Sequence, residues 1–165
     1  ELGFQFRSTF LVSVWPIWAI GISSLLTDLG ASASFFFSDK IIKRFPKQNI
    51  LLFRSIYGKI TSIISYGFPS VLSPLILSTP SLLYGVGSVA ENDLMQHEFT
   101  DHQRATMSSL NSLGGSLGFA IMSLGLGSLA DAWGPAKALI IFSILSIPNI
   151  YIYWLLFRKD RKMRA

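Results

Sequence analysis

Five apolar blocks dominate this chain, at residues 10–37, 49–68, 71–90, 103–130 and 138–157. Each reaches the length of about 20 residues that a helix needs to cross the hydrocarbon core of a bilayer. None alternates polar and apolar residues with a period of two. In lipid, where backbone groups must be satisfied internally, only helices and closed barrels are tolerated. The blocks therefore predict an all-α fold, a polytopic transmembrane bundle of about five spans forming one domain over residues 1–165. Composition agrees: charged residues make up 14% of the 165, against about a quarter in soluble domains, and mean hydropathy is +0.48. The opening ELGFQFRS starts at Glu1 and lacks the basic region and short apolar core of a signal peptide. The expectation is a piece of a longer protein.

Charges gather between the blocks. SDKIIKRFPKQ follows the first, ENDLMQHEFTDHQR precedes the fourth, and RKDRKMRA ends the chain. Thr100 to Gln103 fits a capping box at the start of the fourth helix. With five crossings, one side collects Lys40, Lys43, Arg44, Lys47, Arg104, Arg158, Lys159, Arg161, Lys162 and Arg164, and the other only Arg7 and Lys137. The positive-inside rule then places the C-terminus in the cytoplasm and the protein in the cell membrane. Basic residues confined to connectors do not form the continuous face that nucleic acid requires. Prolines 16, 74, 80 and 148 fall within the blocks, where neighbouring helices can re-satisfy the carbonyls they free.

The fourth block is the most unusual. RATMSSLNSLGGSLGF interleaves leucine and phenylalanine with small, weakly polar residues. Helices in lipid associate by close packing and hydrogen bonding. Gly114 and Gly118 form a GxxxG, Ser108, Ser112 and Ser116 share a spacing of four, and Gly127 follows. These are candidate helix-packing positions, and Asn111 is a candidate polar contact on a central face. Asp28 and Lys59 lie inside blocks, where charge is expensive and functional by default. If the first two helices run antiparallel as neighbours, both residues sit at one depth. They would pair there or face a shared aqueous cavity, as candidates for coupling. The alternative is that Lys59 snorkels while Asp28 meets local hydroxyls.

No nucleophile–base set, phosphate-binding loop or HExxH occurs, so catalysis is not expected. His97 and His102, near Glu91, Asp93, Glu98 and Asp101, match no ordered ligand spacing. No metal or cofactor is expected, and with no cysteine, thiolate chemistry is closed.

Two passages resemble the major facilitator superfamily of secondary transporters. SDKIIKRFPKQN is similar to that family's cytoplasmic signature loop, roughly G-x-L-A-D-R-x-G-R-R, with Asp39 and Lys40 as the acidic–basic pair and Lys43, Arg44 and Lys47 as the basic run. Phe35 stands where the loop's leading glycine would be, and Pro46 lies near the later one. The passage from Gln103 to Gly134 resembles the eleventh helix and the turn beyond it, with Gly127, Leu129, Asp131 and Gly134 in a G-x-L-A-D-x-x-G pattern and Ala132 replacing a basic residue. The resemblance implies helices eight to twelve of a twelve-helix fold, whose two bundles rock about a central site. It further implies a conformational gate at Asp39, Lys40, Lys43, Arg44 and Arg104. The function implied is transport of a small solute, coupled to a proton or ion gradient, with lipid and a missing N-terminal bundle as partners. A structural membrane subunit or assembly factor is the alternative.

Overall fold

Seven prolines set the punctuation of this chain, because each lacks an amide donor and clashes with a preceding helical turn. The computed structural model describes residues 2–98, 101–148, 150, 151, 153–155 and 157. Helix α1 spans Leu2–Val12, and Pro16 then opens α2 at Ile17–Arg44. Phe45, forced into extended geometry by the proline that follows it, has φ −123° and ψ 142° and ends α2. Pro46 precedes α3, Lys47–Gly67, and Pro69 lies in the turn beyond it. Pro74 occupies the first turn of α4, Ser73–Ser78. Pro80 falls within a 3-10 turn, Thr79–Leu83, before α5 resumes at Tyr84–Glu98. Helix α6, Asp101–Trp133, is followed by α7, Pro135–Leu145. A turn at Ser146 separates α7 from the helical residues around Pro148. Prolines 16, 74, 80 and 148 thus stand at breaks or first turns, not as kinks within continuous spans.

The all-helical expectation holds, and no strand occurs among the described residues. Two helices are long and apolar enough to cross a membrane: α2, and α6 over Ala105–Trp133. At 1.5 Å per residue they measure about 42 and 44 Å. Of the other expected spans, α3 carries Lys47, Arg54 and Lys59, the third is broken at Pro80, and α7 stops after 11 residues. Block boundaries also move. The first block divides into α1 and α2, and the acidic segment expected as a connector continues α5 to Glu98.

The chain alternates direction between two ends. One end holds the turns at 13–16, 68–72 and 134, and the other holds Phe45–Pro46 and the last turns of α5, where Lys47 meets Asp93. Across the bundle the order is α6, α7, α3, α5, α2, with α1 laid against α7, α2 and α6. Sequence neighbours α2 and α3 barely touch, because the broken rod of α4, the 3-10 turn and α5 packs between them.

The main core lies at the first end, where Phe10, Leu11, Tyr66, Leu77, Leu126, Ala138 and Leu139 are buried together. Phe10 and Tyr66 meet edge to face at 4.9 Å between ring centroids, a favoured aromatic geometry. The α6–α7 corner needs Gly134, whose φ is +86°, a value side chains with a Cβ rarely adopt. Its N–H donates to the Ala130 carbonyl at 2.9 Å, and Pro135 then starts α7.

Hydroxyls line the break in the rod. Thr79 Oγ1 donates to the Ile76 carbonyl at 2.8 Å, and Ser81 Oγ to the Ser78 carbonyl at 2.6 Å. Tyr57 on α3 donates to Thr79 Oγ1 at 2.8 Å. The interrupted backbone is thereby supplied with local donors and tied to its neighbour.

Candidate functional site

The rod meets α2 at very close range, and small residues make that possible. A Cβ added at Gly85 would lie 2.4 Å from the Phe35 amide nitrogen, and one at Gly30 would lie 2.1 Å from Ser81 Oγ. Between these two points, Val86 N–H donates to Ser34 Oγ at 3.0 Å. Small residues therefore build the α2–α5 seam, since small side chains let helix backbones approach closely. Gly114, Gly118 and Gly127, the candidate packing positions on α6, take no part in this seam: an added Cβ at any of the three meets nothing within 4 Å. Among the described residues, α6 joins the core through its C-terminal part, at Leu126, Leu129 and Ala130. Residues 105–118, Asn111 among them, are exposed.

At the opposite end from the main core, the candidate gate residues follow the last turns of α2. Asp39 accepts from Lys43 Nζ at 2.7 Å, with both side chains 74% exposed. Lys40 and Arg44 are also exposed, and the Arg44 guanidinium lies 5.9 Å from the Phe45 ring centroid. After the Phe45–Pro46 turn, Lys47 leaves this group and pairs with Asp93 on α5. One turn pair further along α3, Arg54 reaches Glu91 at 4.0 Å and lies 5.1 Å from the Tyr84 ring centroid. Gly87 gives that arginine its path, since a Cβ there would lie 2.4 Å from Arg54 Cδ. The α3–α5 pairs escaped sequence reasoning because residues 91–98 read as a connector. The 3.6-residue continuation of α5 past Ala90 was the available signal. The side chains of Arg104, His97 and His102, and Thr100 of the expected capping box, lie outside the described residues.

Asp28 and Lys59 are not brought together. Their pairing presumed that α2 and α3 were neighbours, and the rod separates them. Lys59 turns the other way and donates to Ser146 Oγ, with its ammonium 5.8 Å from the Phe142 ring centroid. It ties α3 to α7. Asp28 is exposed on α2, where Ser32 Oγ donates to its backbone carbonyl at 2.8 Å.

Among the described residues, no group of three His, Asp or Glu side chains is placed to hold a metal ion. What the arrangement offers chemically is shape and charge: a seam of glycines and serines, an interrupted helix rich in hydroxyls, a charged end, and one long bare helix. Compared with known proteins, the chain matches no family model, no curated protein and no solved structure.

Proposed function

We propose that this chain is part of a secondary transporter that moves a small solute across the cell membrane by alternating access, as its resemblance to the major facilitator superfamily implies. The observation that carries the reading is α6. It is an apolar helix of 33 residues, and only 6% of its most apolar window is buried. The core helix of a soluble protein buries such a face, because each apolar side chain left in water forgoes about 1.5–3 kcal/mol. A helix this long and this bare has lipid or another helical bundle as its natural surroundings. Its small-residue stretch, Ser108 to Gly118, suits a second bundle, since small side chains let helix backbones approach.

In this reading five segments cross the membrane, with the C-terminus in the cytoplasm, and the missing N-terminal bundle supplies the other half of the solute pathway. Asp39, Lys40, Lys43, Arg44 and Arg104 lie at the cytoplasmic end as the gate. The Asp39 carboxylate, paired with exposed Lys43, can exchange that partner for a helix N-terminus of the other bundle, where the dipole favours negative charge. Asp28 and Asn111 face outward from this half, toward the positions a partner would fill. Lys59 acts in this half as a tie between α3 and α7. No enzymatic step and no cofactor enters the scheme.

Solute uptake or efflux by the complete transporter in reconstituted vesicles tests the reading. Asp39→Ala is expected to abolish flux while leaving membrane expression unchanged. Wild-type protein that moves no solute across a broad panel overturns the transport assignment in favour of a structural subunit. Full flux in Asp39→Ala removes the gate alone.

A further inference from the structure

The end of the bundle where α1, α2, α3 and α4 meet holds an arginine that the gate and the seam do not use. Arg7 is 8% exposed. Its Nη2 donates to Ser23 Oγ at 2.9 Å and, at 3.5 Å, to the Pro74 carbonyl. Ser23 Oγ and Ser78 Oγ are directed to the same carbonyl, at 3.4 and 3.2 Å. All these acceptors are neutral. Among the described residues no carboxylate pairs with Arg7, and its Nε is buried with no hydrogen-bond partner.

A second orphan lies on the α3–α4 corner that carries Pro74. Ser65 Oγ is also buried without a partner, and Ser65 is held to this corner by its carbonyl, which accepts from Ser73 Oγ at 3.2 Å. Ser73 is the residue before Pro74. Folded chains rarely leave buried donors unsatisfied, and an uncompensated buried charge is more costly than an unpaired neutral group. A water molecule would supply an acceptor for Nε but no countercharge. An anion supplies both, and the planar fork of arginine is shaped for carboxylates and other small anions.

We propose that Arg7, oriented by Ser23, binds with the Ser65 hydroxyl a small monovalent anion, a halide or a carboxylate group, at the junction of α1, α2, α3 and α4. Seating it swings the guanidinium away from the Pro74 carbonyl, the longest and weakest of its contacts. The anion then accepts from Nε and from Ser65 Oγ and fastens α1 to the α3–α4 corner. This site is independent of the transport reading, and either stands if the other falls.

The test uses the purified full chain in lipid nanodiscs. Its thermal unfolding is followed as chloride or acetate replaces a bulky sulfonate at constant ionic strength. Wild-type Tm is expected to rise saturably with at least one of the two, and the one that acts identifies the source within the class. Arg7→Gln should abolish the dependence, Ser65→Ala should weaken apparent affinity about tenfold, the loss of one hydrogen bond to a charged group, and Lys43→Gln should leave it unchanged. Arg7→Lys keeps the charge without the fork, and is expected to retain a weakened response; it also serves if Arg7→Gln does not fold. A wild-type Tm indifferent to both anions assigns the junction to water and overturns the proposal. So does a response in Ser65→Ala and Arg7→Lys undiminished from wild type, which would place the anion elsewhere.

Discussion

At Gly85, an added methyl group would sit 2.4 Å from the Phe35 nitrogen and 2.8 Å from its Cα. Backbone cannot rotate aside, so Gly85→Ala must push α5 from α2. The expected loss is about 1–3 kcal/mol, the usual range for overpacking. Gly30→Ala should cost less, because its 2.1 Å contact is a serine hydroxyl and the next atom, Ser81 Cβ, is 3.3 Å away. Gly87→Ala meets only the Arg54 side chain, which is long enough to yield. Gly114→Ala meets nothing and gains up to about 1 kcal/mol of helix propensity. Thermal unfolding of the four variants in detergent should therefore rank Gly85 as most harmful and Gly114 as neutral or stabilising. The same order in transport assays is not expected. If the bare face of α6 meets a second bundle, Gly114→Ala impairs flux while stability holds or rises.

Ion pairs at the level of elements divide in the same way. Asp39–Lys43 joins successive turns of one exposed helix, and such pairs contribute about 0.3–0.5 kcal/mol. Lys47–Asp93 joins two helices, with side chains 32% and 34% exposed. A double-mutant cycle on Lys47→Ala and Asp93→Ala should yield a coupling near 1 kcal/mol, the upper end for partly exposed pairs, clearly above that of Asp39→Ala with Lys43→Ala. Equal couplings would mean that the α3–α5 seam does not depend on its charged end. The contrast also shows what the sequence could reveal. Helix content and the turn at Gly134 are local properties and are legible residue by residue, whereas prolines 16, 74, 80 and 148, expected within spans, stand at breaks or first turns. Which helices are neighbours is not local. Lys59 and Asp28 looked paired because α3 follows α2 in the chain. The break at Pro80 instead lets the rod fill the space between them, with Gly30 and Gly85 admitting it. Period-3.6 apolarity marks a helix as one that packs, and says nothing about which helix it meets.

For the molecule as a whole, the decisive asymmetry is between its two ends. Phe10, Tyr66, Leu126 and Leu139 close one end around all the neighbouring helices, while residues 105–118 of α6 stand bare toward the other. The alternation of helices puts Val71 and Trp133 at the closed end, and Lys43 at the opposite end beside the signature-like loop. All three side chains are exposed, and the chain has no cysteine of its own, so single substitutions give an unmixed label. In intact cells, Val71→Cys and Trp133→Cys should react with an impermeant maleimide. Lys43→Cys should react only after the membrane is opened, and unsubstituted protein should not react. The converse pattern would invert the orientation that the positive charges predict, at odds with an excess of ten basic residues to two. Labelling of all three positions from outside would remove the membrane-spanning arrangement altogether. The apolar faces of α2 and α6 would then require a protein partner to cover them, since water does not tolerate contiguous apolar surface on that scale.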